Sequence, residues 1–107
     1  MIDEALAERV RDRMADLPGV TDKRMFGGLT FLTEGNMTVA VLGDDLLCRV
    51  GPEAEAEAMT HQGTRPFVNA GRRMTGWVIV DGATLDDDVL LAWIDRSLDF
   101  VATLPPK

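Results

Sequence analysis

Apolar positions recur at helical spacing near both ends of the chain and at strand spacing between them. Leu6, Val10, Met14 and Leu17 fall four, four and three residues apart, which stacks their side chains into one stripe of a helix. Asp3 suits the N-cap, with acids beside it in the first turn where the helix dipole favours them. Pro18-Gly19 is expected to stop this helix, because proline lacks a donor and glycine tolerates the exit geometry. Glu8, Asp12 and Asp16 alternate with Arg9, Arg11 and Arg13 on the outer surface, the pattern of a solvated face.

From Lys23 to Val50 the period becomes strand-like. Met25-Phe26 runs into Gly27-Gly28, and Leu29-Thr30-Phe31-Leu32-Thr33 follows. Glu34-Gly35-Asn36 is a turn signal before Met37–Leu42, and Gly43-Asp44-Asp45 separates that run from Leu46–Val50. Tight turns between neighbouring runs imply antiparallel pairing, since parallel strands need long crossovers. Gly51-Pro52 is expected to open a second helix through the strong helix formers Glu53–Met59, and Gly63–Pro66 to end it. Phe67-Val68 and Gly76–Val80 read as further strands around the polar Asn69–Arg73. In the last helix Val89, Leu90, Trp93, Ile94, Leu98 and Val101 make a broad apolar face, with Thr84 or Asp86 as cap.

The expected order is α-β-β-β-α-β-β-α, a two-layer α+β fold with a mostly antiparallel sheet and helices on one face. Leu6, Val10, Met14, Phe31, Val39, Val41, Trp77, Ile79, Trp93, Ile94 and Val101 are expected to form one core. The 107 residues suit a single domain over 1–107,, able to bury a core without a metal or disulfide. The one cysteine, Cys48, cannot form an internal disulfide, which fits a reducing compartment. The start, MIDEALAERV, places charges where a signal peptide needs an apolar run, and no stretch has the length of a membrane span,. A cytoplasmic location is the expectation.

Candidate chemistry is sparse. There is one histidine and no tyrosine, leaving acid–base schemes to carboxylates. His61 falls where the second helix should end and gains there from the helix dipole. Pairing it with Cys48 as base and nucleophile would leave both without an orienting third group. Cys48, between Leu47 and Arg49, reads as a small buried hydrophobe. Asp86, Asp87 and Asp88 point about 100° apart on a helix and cannot converge on one ion unaided, so they read as capping acids. Gly27-Gly28 lacks the spacing of a phosphate loop and marks a bulge or close backbone approach. No catalytic residue, cofactor or metal is expected.

The charge distribution adds one candidate site. Eighteen acids against eleven bases give a net charge of −7, which excludes a generally basic, phosphate-coating protein,. Both ends are acidic, whereas residues 23–73 carry six bases and six acids. Two basic pairs, Lys23-Arg24 and Arg72-Arg73, are the expected contact residues for an acidic partner or a phosphate backbone, if the sheet brings them onto one surface. The alternative is that each arginine balances a neighbouring acid such as Asp22.

Several blocks, taken together, resemble a known family. Arg24–Phe31, then Gly35-Asn36-Met37, then Asp45–Pro52 are similar to the N-terminal domain of TfoX/Sxy proteins. Arg65-Pro66-Phe67, Gly71–Val80 and Leu91-Ala92-Trp93-Ile94 continue the likeness in order and spacing. The resemblance implies a secretion-chaperone-like α+β domain and a non-catalytic role in transcriptional regulation of competence. It implies work by protein contact, with the cyclic-AMP receptor protein as partner at promoters. Family members carry a second, helical C-terminal domain and this sequence ends at Lys107, so a stand-alone N-terminal domain is the expectation. The alternative reading is an acidic interaction or chaperone-like adaptor unrelated to DNA, expected as a homodimer. Direct DNA binding is disfavoured by the net charge.

Overall fold

A computed structural model describes residues 2–25 and 27–107. Helix α1 covers Glu4–Met14, and Asp3 caps it by accepting from the backbone N–H groups of Ala5 and Leu6. Four strands follow, β1 Val20–Met25, β2 Gly28–Thr33, β3 Asn36–Leu42 and β4 Asp45–Arg49. Then come the short helix α2 Glu55–Ala58, strands β5 Thr64–Asn69 and β6 Arg72–Val80, a 3₁₀ turn Gly82–Thr84 and helix α3 Asp87–Val101. The six strands form one sheet in the order β1-β2-β3-β4-β6-β5, and every neighbouring pair is antiparallel. The fold is therefore α+β, with the helices on one face of the sheet.

The strand order differs from expectation by one strand before α2. Val20–Met25 is polar at four of six positions because it is an edge strand, and an edge carries charge without cost to a core,. Phe26 lies outside the described residues. Helix α1 ends at Met14, before the Pro18-Gly19 signal, and Leu17 still packs against the core from the loop. Two further boundaries move. Helix α2 is only one turn long, and β5 begins at Thr64, within the segment expected to end the helix.

The core lies between the helices and one side of the sheet. Leu6, Val10 and Met14 of α1 and Leu90, Trp93 and Ile94 of α3 meet Phe31, Val39, Val41, Leu46 and Cys48. From β6 the core takes Val78 and Val80, not Trp77 and Ile79. The register explains the correction: Leu46 pairs with Val80 and Cys48 with Val78, whereas Leu47 pairs with Ile79 and Arg49 with Trp77. Directly paired residues share a face, so Trp77 and Ile79 point away from the helices. There Trp77 is half-buried against Phe67, with ring centroids 6.3 Å apart. Val101 is buried but stands outside the main cluster.

Ion pairs join the two long helices and tie α1 to the edge strand. Arg9 reaches Asp87 at 3.0 Å and the Leu85 carbonyl at 2.7 Å, and Arg13 reaches Asp95 at 2.5 Å. Arg11 bonds both Glu8 and Asp22. The chain end beyond α3 is held by the β2–β3 turn, where Lys107 N–H donates to the Glu34 carbonyl and the Asn36 amide to that of Pro105.

Glu55 fixes α2 to β6. Its carboxylate accepts from the Gly76 N–H at 2.6 Å and from Arg73 at 2.7 Å. Gly76 is the bend of β6, where the β5–β6 register slips, and it has φ +91°. Its carbonyl in turn accepts from Val50 and Gly51, which holds the segment after β4 beside the sheet. The Gly76 hydrogen bond, with that of Arg73, holds the Glu55 carboxyl below its ordinary value of 4.5. Asp45 is lowered too: burial opposes the shift, but hydrogen bonds from Arg65 and the Gly82 N–H outweigh it. A carboxylate with a depressed folded-state pKa stabilises the fold above its unfolded value, and that contribution disappears as pH falls toward the folded one. The urea midpoint should fall between about pH 5 and pH 3. Glu55→Gln should lose about 1 kcal/mol at neutral pH and show a shallower acid slope. An unchanged slope would exclude Glu55 as a source of the pH dependence.

Candidate partner-binding surface

The sheet does not bring the two basic pairs together. Arg24 lies on the row Arg24–Leu29–Val41–Leu46–Val80, which meets β6 at its C-terminal end. Arg72 and Arg73 start β6 at the other end. Four strand spacings of about 4.8 Å and seven or eight residues of about 3.3 Å therefore separate the pairs diagonally across the sheet. The single basic patch is corrected on this point: pairing order and register, both long-range properties, put the pairs at opposite corners. Within each pair one member balances a nearby acid, Arg24 with Glu4 at 3.7 Å and Arg73 with Glu55 at 2.7 Å. Lys23 and Arg72 are exposed and, among the described residues, have no such ion pair.

The side chains considered for catalysis are engaged in the fold. Cys48 is fully buried on β4, and burial pushes its thiol far above the ordinary range. A thiol in that state is a poor nucleophile. The His61 ring lies edge-on to Trp93, centroids 5.3 Å apart, with Nε2 2.9 Å from Glu57 and 3.2 Å from Arg96. Asp86 caps α3 by accepting from the Val89 N–H, and Asp87 pairs with Arg9. Among the described residues no group of three or more His, Cys, Asp or Glu side chains is placed to hold a metal ion.

A groove of about 820 Å³ lies between α3 and the segment that follows β4. Its apolar floor comes from Val50, Gly51, Ala54 and Phe100. Gly51 is required there, because a Cβ on it would lie 2.5 Å from the Phe100 ring. Along α3 the wall is the stripe Ala92, Asp95, Arg96 and Asp99, which recurs at one helical turn per step, and Thr103 continues it in the turn after the helix. Pro52 and Glu53 form the opposite lip.

Charge in the groove is uneven. Its one base, Arg96, is held by Glu57 at 2.5 Å and lies over the Trp93 ring at 5.0 Å. Of its acids, Asp95 is paired with Arg13, whereas Glu53 and Asp99 are exposed and have no ion pair among the described residues. The groove is thus apolar below and negative at the rim. Sequence reading missed it because Pro52–Ala54 was expected to be helix. The signal present was the spacing of Ala92, Asp95 and Asp99, a second stripe of α3 beside the core stripe.

The architecture is a two-layer α+β domain with an antiparallel sheet. A family model for the TfoX N-terminal domain matches residues 12–101, most of the chain, and the chain belongs to that family. A comparison with curated proteins found no match.

Proposed function

We propose that this chain is a non-catalytic regulatory module that acts by protein contact in transcriptional regulation of the competence type. Membership of the TfoX N-terminal domain family carries the reading. The separated, partly neutralised basic pairs and the net charge of −7 argue against direct contact with a phosphate backbone,. The partner that the family resemblance implies is the cyclic-AMP receptor protein bound at a promoter. A secretion-chaperone-like fold and a cytoplasmic location belong to the same proposal.

The test adds purified chain to a complex of that receptor, cyclic AMP and promoter DNA. A slower-migrating complex that needs the receptor, with no shift of DNA alone, is the expected result. An unchanged complex and unchanged transcript yield would overturn the transcriptional reading. The groove favours a second reading in that event, an acidic adaptor for protein partners unrelated to DNA, since its apolar floor and negative rim make no call on nucleic acid.

A further inference from the structure

We infer that the groove between α3 and residues 50–54 receives a basic amphipathic helix of a partner protein. The inference rests on the protein-contact reading above and assigns its surface and the chemistry of its occupant. The stripe from Ala92 to Asp99 spans about 10 Å at 1.5 Å per residue, or two helical turns, and Thr103 extends it in the turn after α3,. A helix laid alongside it would place apolar residues at i, i+3/i+4 and i+7 over Ala54, Ala92 and Phe100,. Lysines or arginines flanking that stripe would meet Glu53 and Asp99, the two rim acids without an ion pair among the described residues.

Charge decides between occupants. A second copy would bring its own net charge of −7 toward a negative rim, and like charges across an interface oppose association. Nucleic acid is repelled for the same reason. The bases beside the groove offer an anion little, because Arg96 is already held by Glu57 and Trp93 and Arg49 lies against the Phe100 and Trp77 rings. A cationic segment with an apolar face satisfies both the floor and the rim.

The experiment uses the intact chain and a fluorescent helical Leu/Lys model peptide of about 14 residues, the length that covers the groove. The expected result is saturable binding that weakens with salt, with a Leu/Glu peptide binding at least about tenfold more weakly. Ala92→Arg places bulk and positive charge in the groove wall at an exposed helical position where arginine is well tolerated,. It should weaken peptide binding about tenfold or more. Thr21→Arg makes the same charge change on the exposed edge strand and should alter binding by less than about twofold,. Equal effects of the two variants, or no effect of Ala92→Arg in a folded protein, would overturn the assignment whatever the promoter experiment gives. Groove-dependent peptide binding beside an inert promoter complex would support this inference and remove only the transcriptional reading.

Discussion

Trp93→Ala should lower the stability of the fold by about 3–5 kcal/mol. Trp93 is 4% exposed and lies on the inner stripe of α3 with Leu90, Ile94, Ser97 and Val101. Its indole also supports two neighbours outside the core, the His61 ring edge-on and the Arg96 guanidinium over its face. Truncation removes the buried ring and leaves a cavity that a helix pinned by ion pairs to α1 cannot collapse to fill. Small domains have about 5–15 kcal/mol in total, so the variant should unfold at a far lower urea concentration. Trp93→Phe keeps most of the ring volume and should lose much less. Equal midpoints for the parent and the alanine variant would remove Trp93 from the core.

Gly28→Ala should cost about 1–3 kcal/mol, in the manner of an overpacked core. A Cβ on Gly28 would stand 2.3 Å from the Val41 carbonyl oxygen and 2.5 Å from a Leu42 methyl. The carbonyl belongs to the paired strand β3 and cannot swing aside, so β2 and β3 would have to part. Gly27 differs in kind: nothing lies within 4 Å of its added Cβ, but its φ is +75°. Its alanine variant should lose only the roughly 1–2 kcal/mol of an L-residue in the left-handed region, and Gly27→Asn less still. Thermal unfolding of the three variants gives the ranking, and a Gly28→Ala protein as stable as the parent would show that the strands are not fixed at that distance. The bulge or close backbone approach expected of the pair thus becomes two requirements, one steric at Gly28 and one conformational at Gly27.

The residues that sequence reading placed correctly are those set by local rules. Asp3 and Asp86 cap the long helices because a short acceptor ahead of free N–H groups acts within a few residues,. The core stripes of α1 and α3 follow from 3.6-residue periodicity. β6 illustrates the limit. Trp77-Val78-Ile79-Val80 is apolar at every position, so its alternation cannot say which pair faces the helices, and only pairing with β4 selects Val78 and Val80. Helix propensity over Glu53–Met59 was overridden in the same way. Gly76 and Arg73 draw Glu55 toward β6, and the chain before it turns instead of coiling.

The sequence by itself determined the class of fold, its antiparallel pairing, the two capped helices and the family to which the chain belongs, because turns, caps and periodicity act between near neighbours. Tertiary structure alone decided where function can reside. It sent Lys23-Arg24 and Arg72-Arg73 to opposite corners of the sheet, because strand order and register set their separation. It also placed Glu53 and Asp99, some 46 residues apart in the chain, on the rim of one apolar groove. No local pattern links those two acids; the groove exists because Gly76 holds the segment after β4 at the sheet while α3 packs across the core.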